Sequence, residues 1–247
     1  MFTDSHCHVF KEYYEDIDKV IQDASQNGVT KLIVAATNIA SCKEILELLK
    51  NHNNVYICLG IHPDSINDNL DELQELIENN IDKIVAIGEI GLDYYYSKEE
   101  KEKQIEVFEY QLSLASKYNL PVVVHSREAT LDTLECLKKY KIKAVLHCFN
   151  GSLETAREYM KIGFYFGVGG VMTFKNSKID EIIKEIPLDR IILETDSPYL
   201  TPEPFRKYQN EPKYIKTIAE YLANLKNVSV EEVSRTTEKN IKDIFDI

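Results

Sequence analysis

The sequence predicts an α/β barrel, on three observations. Eight short apolar, β-branched runs alternate with segments of helical periodicity along the chain. The 247 residues divided among eight units give about 31 residues each, the size of one strand–helix unit. Strict alternation favours a parallel sheet, and eight units favour closure into a TIM (β/α)8 barrel over an open sheet.

The elements follow one another in regular order. The predicted strands lie near residues 2–8, 31–36, 55–60, 84–89, 122–125, 144–147, 165–168 and 190–194. The predicted helices cover residues 16–26, 40–50, 70–78, 99–117, 129–139, 153–161, 177–185, 213–226 and 230–244. Ser152, with Thr155, and Ser177, with Asp180, have the residue types of helix N-caps. The segment 197–212 contains four of the seven prolines, and we expect it to overhang the mouth of the barrel.

Length and composition indicate a single domain over residues 1–247. The formal net charge is −12, which disfavours tight electrostatic binding of duplex nucleic acid or of an anionic membrane. No apolar run approaches the length of a membrane span. The five cysteines form no C-x-x-C pair and suggest no disulfide framework. We therefore expect a reduced, cytoplasmic protein, and a monomer.

Five of the six histidines fall at or just beyond the carboxyl ends of predicted strands. They are His6, His8, His62, His125 and His147. In a closed barrel these strand ends converge on one mouth, so residues far apart in sequence meet there. The spacing of two places the first two imidazoles on one face of their strand. A histidine cluster with carboxylates at this position indicates a metal centre at the C-terminal mouth.

Two carboxylates complete the predicted centre. Glu89 ends the fourth strand between glycines that allow close approach of the backbone, and it can bridge two cations. Asp196 follows the eighth strand nearest the mouth and is the natural group to activate a water molecule. Cys7 and Cys148 neighbour proposed ligands, and alternation turns them toward the helices as small hydrophobic residues.

Several motifs occur in one order along the whole chain. They are His6-x-His8, 60–63 (GIHP), 88–94 (GEIGLDY), 125–129 (HSREA), 147–152 (HCFNGS), 173–175 (TFK), 194–200 (ETDSPYL) and 210–212 (NEP). Together they resemble the TatD family of metal-dependent DNases. One departure is that Lys207 follows Arg206, where the family usually has glycine.

The resemblance implies a barrel related to the amidohydrolases, with two divalent metal ions. Mg or Mn would serve in activity, and Zn, Ni or Fe are alternatives as bound metals. The implied ligands are His6, His8, Glu89, His125, His147 and Asp196.

The activity implied is hydrolysis of phosphodiesters, commonly from the 3′ end of single-stranded DNA. In this mechanism Asp196 takes the proton of the attacking water, and Glu89 bridges the metals. His62 and Arg127 are assigned to the scissile phosphate, and Arg206 is a weaker candidate for the same role. Because the enzyme need hold only a strand end, we expect weak binding of single-stranded or frayed DNA ends without sequence specificity.

Two alternatives remain open on the sequence. The same ligands occur in hydrolases that cleave an amide, a lactone or an acyl ester, such as a mischarged aminoacyl-tRNA, because ligands do not reveal the electrophile. The second alternative is a non-catalytic scaffold that holds metal within a larger assembly.

Overall fold

A computed structural model describes residues 1–48, 50–96 and 98–247 of the chain. In this part of the chain eight strands form one parallel sheet, each paired with the next in sequence. The TIM barrel fold is confirmed. The strands are β1 (Phe2–Cys7), β2 (Val29–Ala35), β3 (Val55–Leu59), β4 (Ile84–Asp93), β5 (Val122–Arg127), β6 (Ala144–Leu146), β7 (Tyr165–Val168) and β8 (Ile191–Leu193).

Helices cover the outside of the sheet. Those described are α1 (Ile17–Gln26), α2 (Ile39–Leu48), α3 (Leu70–Asn79), α4 (Lys101–Tyr118), α5 (Thr130–Lys138), α6 (Leu153–Lys161), α7 (Ile179–Glu185), α8 (Ile215–Lys226) and α9 (Val230–Phe245). None of the described helices has the length and apolar character that crossing a membrane requires.

The first strand and the segment after the last strand close the barrel. A parallel bridge joins Cys7 to Ser197. The Asp196 N–H donates to the His6 carbonyl at 2.9 Å, and the His8 N–H donates to the Ser197 carbonyl at 2.7 Å. Closure therefore occurs at the level of the predicted metal ligands and holds both ends of the sheet together there.

Two apolar clusters follow from the alternation of side chains along the strands. Ile33, Cys58, Val123 and Ile192 belong to a cluster that fills the barrel and also includes Phe245 of α9. The intervening strand residues pack against the helices in a second, larger cluster. The end of α9 thus covers the barrel interior on the side away from the mouth, as in barrels whose interior is a packed core.

Element boundaries differ from the predicted ones where a backbone group has a specific partner. Strand β4 continues past Glu89 to Asp93, because residues 90–93 pair with β5. The predicted helix 40–50 is observed as α2, and its residue 49 lies outside the described residues. Ser152 caps α6 as predicted, accepting from the Thr155 N–H. Ser177 accepts from the Ile179 N–H instead, so α7 begins two residues later than predicted.

Two buried glutamines on α4 tie the helix to the strand ends. The Gln111 side chain accepts from the Ile61 N–H at 2.8 Å and donates to the Ile61 carbonyl at 3.0 Å. Gln104, seven residues earlier, makes the same pair of contacts with the backbone of Asp93. Both side chains are completely buried. They satisfy backbone groups that the sheet leaves unpaired as it approaches the mouth.

We expect Gln111→Leu to lower the free energy of unfolding by about 3 kcal/mol, because it leaves two buried backbone groups of Ile61 without partners. Urea denaturation measures the change. Gln22→Leu on the exposed face of α1 is the matched control and should alter stability by less than about 0.5 kcal/mol. Equal effects of the two substitutions would show that the Gln111 contacts carry no special weight.

Candidate metal centre

The carboxyl ends of five strands bring the six predicted ligands together at the mouth. His6, Glu89 and His125 lie within β1, β4 and β5, whereas His8, His147 and Asp196 lie just after β1, β6 and β8. All except His125 and Asp196 are classed as buried. They line a pocket of about 400 Å³ or lie directly beneath it.

The two carboxylate oxygens of Glu89 face two different pairs of histidines. Glu89 Oε2 lies 3.4 Å from His6 Nε2 and 3.5 Å from His8 Nε2. Glu89 Oε1 lies 2.8 Å from His147 Nε2 and 3.1 Å from His125 Nδ1. This is the arrangement expected of a carboxylate that bridges two cations.

Asp196 joins the first of these pairs. Its Oδ1 lies 3.6 Å from His6 Nε2 and 3.4 Å from His8 Nε2. The His6 ring also stacks on His147, with ring centroids 4.1 Å apart. His6 therefore connects the two pairs, and Asp196 lies beside the first of them.

The outer nitrogens of two of these rings have partners that orient them. His8 Nδ1 lies 3.0 Å from the Ala35 carbonyl oxygen. His125 Nε2 lies 3.1 Å from Asp93 Oδ2. Hydrogen bonds of this kind fix the tautomer of a metal-binding histidine and direct its other nitrogen toward the metal.

Burial and charge set the ionisation of the site. Burial would raise the pKa of Glu89, but the charges of His147 and His62 and hydrogen bonds from the histidines hold it well below its ordinary value. Burial, with the charge of His147, lowers the pKa of His6 to about 4. Burial opposes the charging of His125, yet hydrogen bonds to Asp93 and Glu89 raise its pKa to about 9.

This donor set fits divalent cations. His6 Nε2 lies 3.2 Å from His8 Nε2, and His125 Nδ1 lies 3.2 Å from His147 Nε2. Within each pair the two ring nitrogens and a Glu89 oxygen converge on one small volume, as metal-binding nitrogens and carboxylates do. Three clusters with ligand atoms within 4.8 Å of one another occur among the described residues: His6–His147–Asp196, His6–His8–Glu89 and His62–Glu89–His125.

Two glycines of β4 allow the backbone of β5 to approach. A Cβ at Gly88 would lie 2.8 Å from the Val123 Cβ. Gly91 has a φ of +146°, and a Cβ there would lie 1.9 Å from the His125 carbonyl oxygen. The glycines on either side of Glu89 thus permit the close strand contact that brings Glu89 to His125.

The predicted phosphate-binding residues occupy different places. His62 and Arg127 line the same pocket as the ligands, and His62 Nε2 lies 3.5 Å from Glu89 Oε1. The Arg127 guanidinium lies 4.0 Å from the centroid of Tyr95 and 4.9 Å from that of Tyr96.

Arg206 lies outside this pocket, on the proline-rich segment 197–212. Its guanidinium rests 3.8 Å from the centroid of Phe174 and donates to the Thr201 carbonyl. It does not line the described pocket. The same segment nevertheless reaches the mouth through Tyr199.

Three carboxylates to which the sequence assigned no role surround the predicted ligands. Asp93 contacts His125, and its even spacing from Glu89 along β4 was the signal that could have identified it. Glu194 is completely buried and accepts from the Cys148 N–H beside His147. Asp4 accepts from the N–H groups of His6 and Thr195, and burial raises its pKa to about 7.

Comparison with known proteins identifies the family. The chain matches the family described as "TatD related DNase" over residues 3–246. It belongs to the TatD family of metal-dependent hydrolases. An uncharacterized metal-dependent hydrolase, YabD of Bacillus subtilis, is 41% identical over the whole of both chains.

Two further TatD relatives extend the comparison. Human deoxyribonuclease TATDN3 is 36% identical, over 98% of this chain and 94% of its own length. The crystal structure of YjjV, a TatD homologue of Escherichia coli, superposes with a TM-score of 0.94 at 33% identity, over 100% of this chain and 98% of that one. The predicted family is confirmed.

We expect Asp93→Asn to weaken metal binding about 10- to 100-fold in this TatD protein, because the amide holds His125 less well than a carboxylate does. Isothermal titration of metal-stripped protein with Mn²⁺ measures the change. Asp132→Asn is the matched control, because Asp132 holds the Tyr94 hydroxyl and contacts none of the site histidines. Equal affinities for both variants would contradict a role for Asp93.

We expect metal binding to release protons and to strengthen as the pH rises from 6 toward 9. The pKa of His125 is raised to about 9 in the metal-free site, so this ring carries a proton at neutral pH that a metal must displace, and the raised pKa of His8 acts in the same direction. Titrations in buffers of different ionisation enthalpy count the protons released. An affinity that stays constant over this pH range would contradict the expectation.

Proposed function

We propose that the chain is a deoxyribonuclease that hydrolyses phosphodiester bonds at the 3′ ends of single-stranded or frayed DNA. The observation that carries the proposal is Glu89, whose two oxygens face separate histidine pairs in a pocket that Arg127 also lines. Two-metal sites of this kind suit in-line displacement at phosphorus. The deoxyribonuclease named among the human relatives supports the choice of DNA.

The proposed metal ligands divide into two sets. His6, His8 and Asp196 would hold one ion, and His125 and His147 the other, with Glu89 between them. When bound, two divalent cations lower the pKa of a water molecule and neutralise the charge that develops on the phosphate. We propose Mg or Mn as the ions used in activity.

Asp196 is proposed as the acceptor of the proton from the attacking water. A hydrogen bond from His8 and the charges of His147 and His6 outweigh burial and lower its pKa, so it is ionised at neutral pH. The Asp196 side chain is 14% exposed and lines the pocket, whereas the Glu89 side chain is 4% exposed. Asp196 is therefore accessible to solvent and substrate, while Glu89 contacts the histidines around it.

Arg127 and His62 are proposed to bind the scissile phosphate. The planar guanidinium of Arg127 suits two-pronged contact with phosphate oxygens, and its stacking on two tyrosines limits the orientations it can take. His62 Nδ1 lies 3.0 Å from Asp64 Oδ1, and this contact directs its Nε2 toward Glu89 and the pocket. Arg206 stays a prediction as a further phosphate contact.

The rim of the pocket suits a single strand held without regard to sequence. Tyr96 is 71% exposed and Tyr199 is 50% exposed, and both line the pocket with Tyr13. Aromatic rings stack on any base, because every base has a π face. The net charge of −12 opposes longer contact with a polyanion, so binding should be weak and sensitive to salt.

We expect metal-stripped protein reloaded with Mg²⁺ or Mn²⁺ to release nucleotides from 3′-labelled single-stranded DNA. Asp196→Asn and Glu89→Gln should each lower the rate at least about 100-fold, since each removes a charged group from the centre of the site. Asp132→Asn serves as the control and should retain the wild-type rate.

Two results would contradict the proposal. Absence of release with any metal, alongside turnover of an acyl ester, would show that the same centre acts on a different electrophile. Release that survives Asp196→Asn and Glu89→Gln would place the nuclease activity outside this site.

A further inference from the structure

A second groove lies beside the metal pocket, at the amino ends of α5 and α6. Its volume is about 710 Å³, which is within the range of small-molecule sites. Leu146, Phe149 and Tyr159 supply buried apolar surface, and Leu131 and Tyr95 supply exposed surface. Arg127 and His147 line both this groove and the metal pocket, so the two cavities adjoin at those residues.

Exposed apolar side chains concentrate around the two cavities. Seven large hydrophobic residues of the described chain are exposed, and four of them line one cavity or the other. Leu131 in the first turn of α5 is 76% exposed, and Tyr95 is 55% exposed. Apolar surface gathered at a concave site indicates a ligand with apolar faces.

The charges and polar groups of the groove fit a nucleotide. Glu128 is its one acidic lining residue, and Arg127 balances that charge, although the chain as a whole carries −12. The side chains of Asn150, Ser152 and Thr155 also line it and offer hydrogen-bonding groups to a sugar or a phosphate. A polyanion therefore meets less repulsion here than over most of the surface.

We propose that this groove is a nucleoside subsite of the enzyme. The inference rests on the proposed function and extends it. A phosphodiester has two ester arms, and Arg127, the proposed phosphate ligand, stands at the junction of two cavities. One arm would enter the metal pocket, and the nucleoside on the other side of the scissile phosphate would enter the groove.

The subsite makes oligonucleotides better substrates than small phosphodiesters. A small aryl diester such as bis(p-nitrophenyl) phosphate can place an aryl ring in either cavity but has no sugar or further phosphate for the polar groups of the groove. In an oligonucleotide, a base can contact Leu131 and Tyr95, and the sugar can contact the hydroxyls of Ser152 and Thr155. The ratio of kcat/KM for a pentanucleotide to kcat/KM for the diester therefore reports on the groove.

The test compares three substitutions at exposed positions. Leu131→Asp places a negative charge in the groove, and Leu131→Asn removes the same apolar surface without charge. Ile162→Asp adds the same charge at the other end of α6, outside the groove, at a residue that is 36% exposed. Binding of a 5′-labelled pentathymidylate with phosphorothioate linkages to Mn²⁺-loaded protein is measured by fluorescence anisotropy, and the kcat/KM ratio is measured in parallel.

We expect Leu131→Asp to raise the Kd and to lower the kcat/KM ratio about tenfold, with a smaller effect of Leu131→Asn and none of Ile162→Asp. If substitution of Leu131 changes neither the Kd nor the kcat/KM ratio, the subsite is refuted and the proposed nuclease activity stands. Binding that depends on Leu131 in a protein that cleaves no phosphodiester would support the subsite and refute the nuclease. Absence of both oligonucleotide binding and cleavage would refute both.

Discussion

The ionised carboxylate of Glu89 holds together the side chains at the mouth of the barrel. It is almost completely buried, and a buried charge is tolerated only when partners compensate it. Here the partners are imidazoles from five other positions: each oxygen of Glu89 faces a different histidine pair, and His62 also lies beside Oε1. Two cations between these groups would satisfy the same charge. The buried charge of Glu89 therefore lies where bound cations would compensate it.

The surrounding shell makes this arrangement specific. His8 and His125 are oriented by the Ala35 carbonyl and by Asp93, and Asp93 is in turn tied to α4 through Gln104. Asp196 reaches the site from the segment that also closes the barrel on β1. The proposed metal ligands, the closure of the sheet and the packing of α4 are thus connected by direct hydrogen bonds. A substitution that disrupts one of these features should therefore alter the geometry of the others.

The sequence predicted the barrel and the positions of the ligands because both depend on local patterns. Alternation of strands and helices defines the fold, and histidines at strand ends can meet in a closed barrel. Gln104, Glu194 and Asp4 received no role from the sequence because each contacts backbone groups, which no residue type reveals. The extension of β4 to Asp93 was missed because it depends on pairing with β5. Arg206 was predicted to contact the phosphate because it lies in the loop after β8. The structure places its guanidinium over the Phe174 ring.

Glu89 is proposed to hold two metal ions at once, and the metal content per chain measures this. Metal-stripped wild type and Glu89→Gln, reloaded with Mn²⁺, are compared by inductively coupled plasma mass spectrometry after removal of free ion. We expect two equivalents for the wild type and a loss at both positions in the variant, because both histidine pairs share the one carboxylate. A variant that keeps one full equivalent, or a wild type that binds only one, would contradict it.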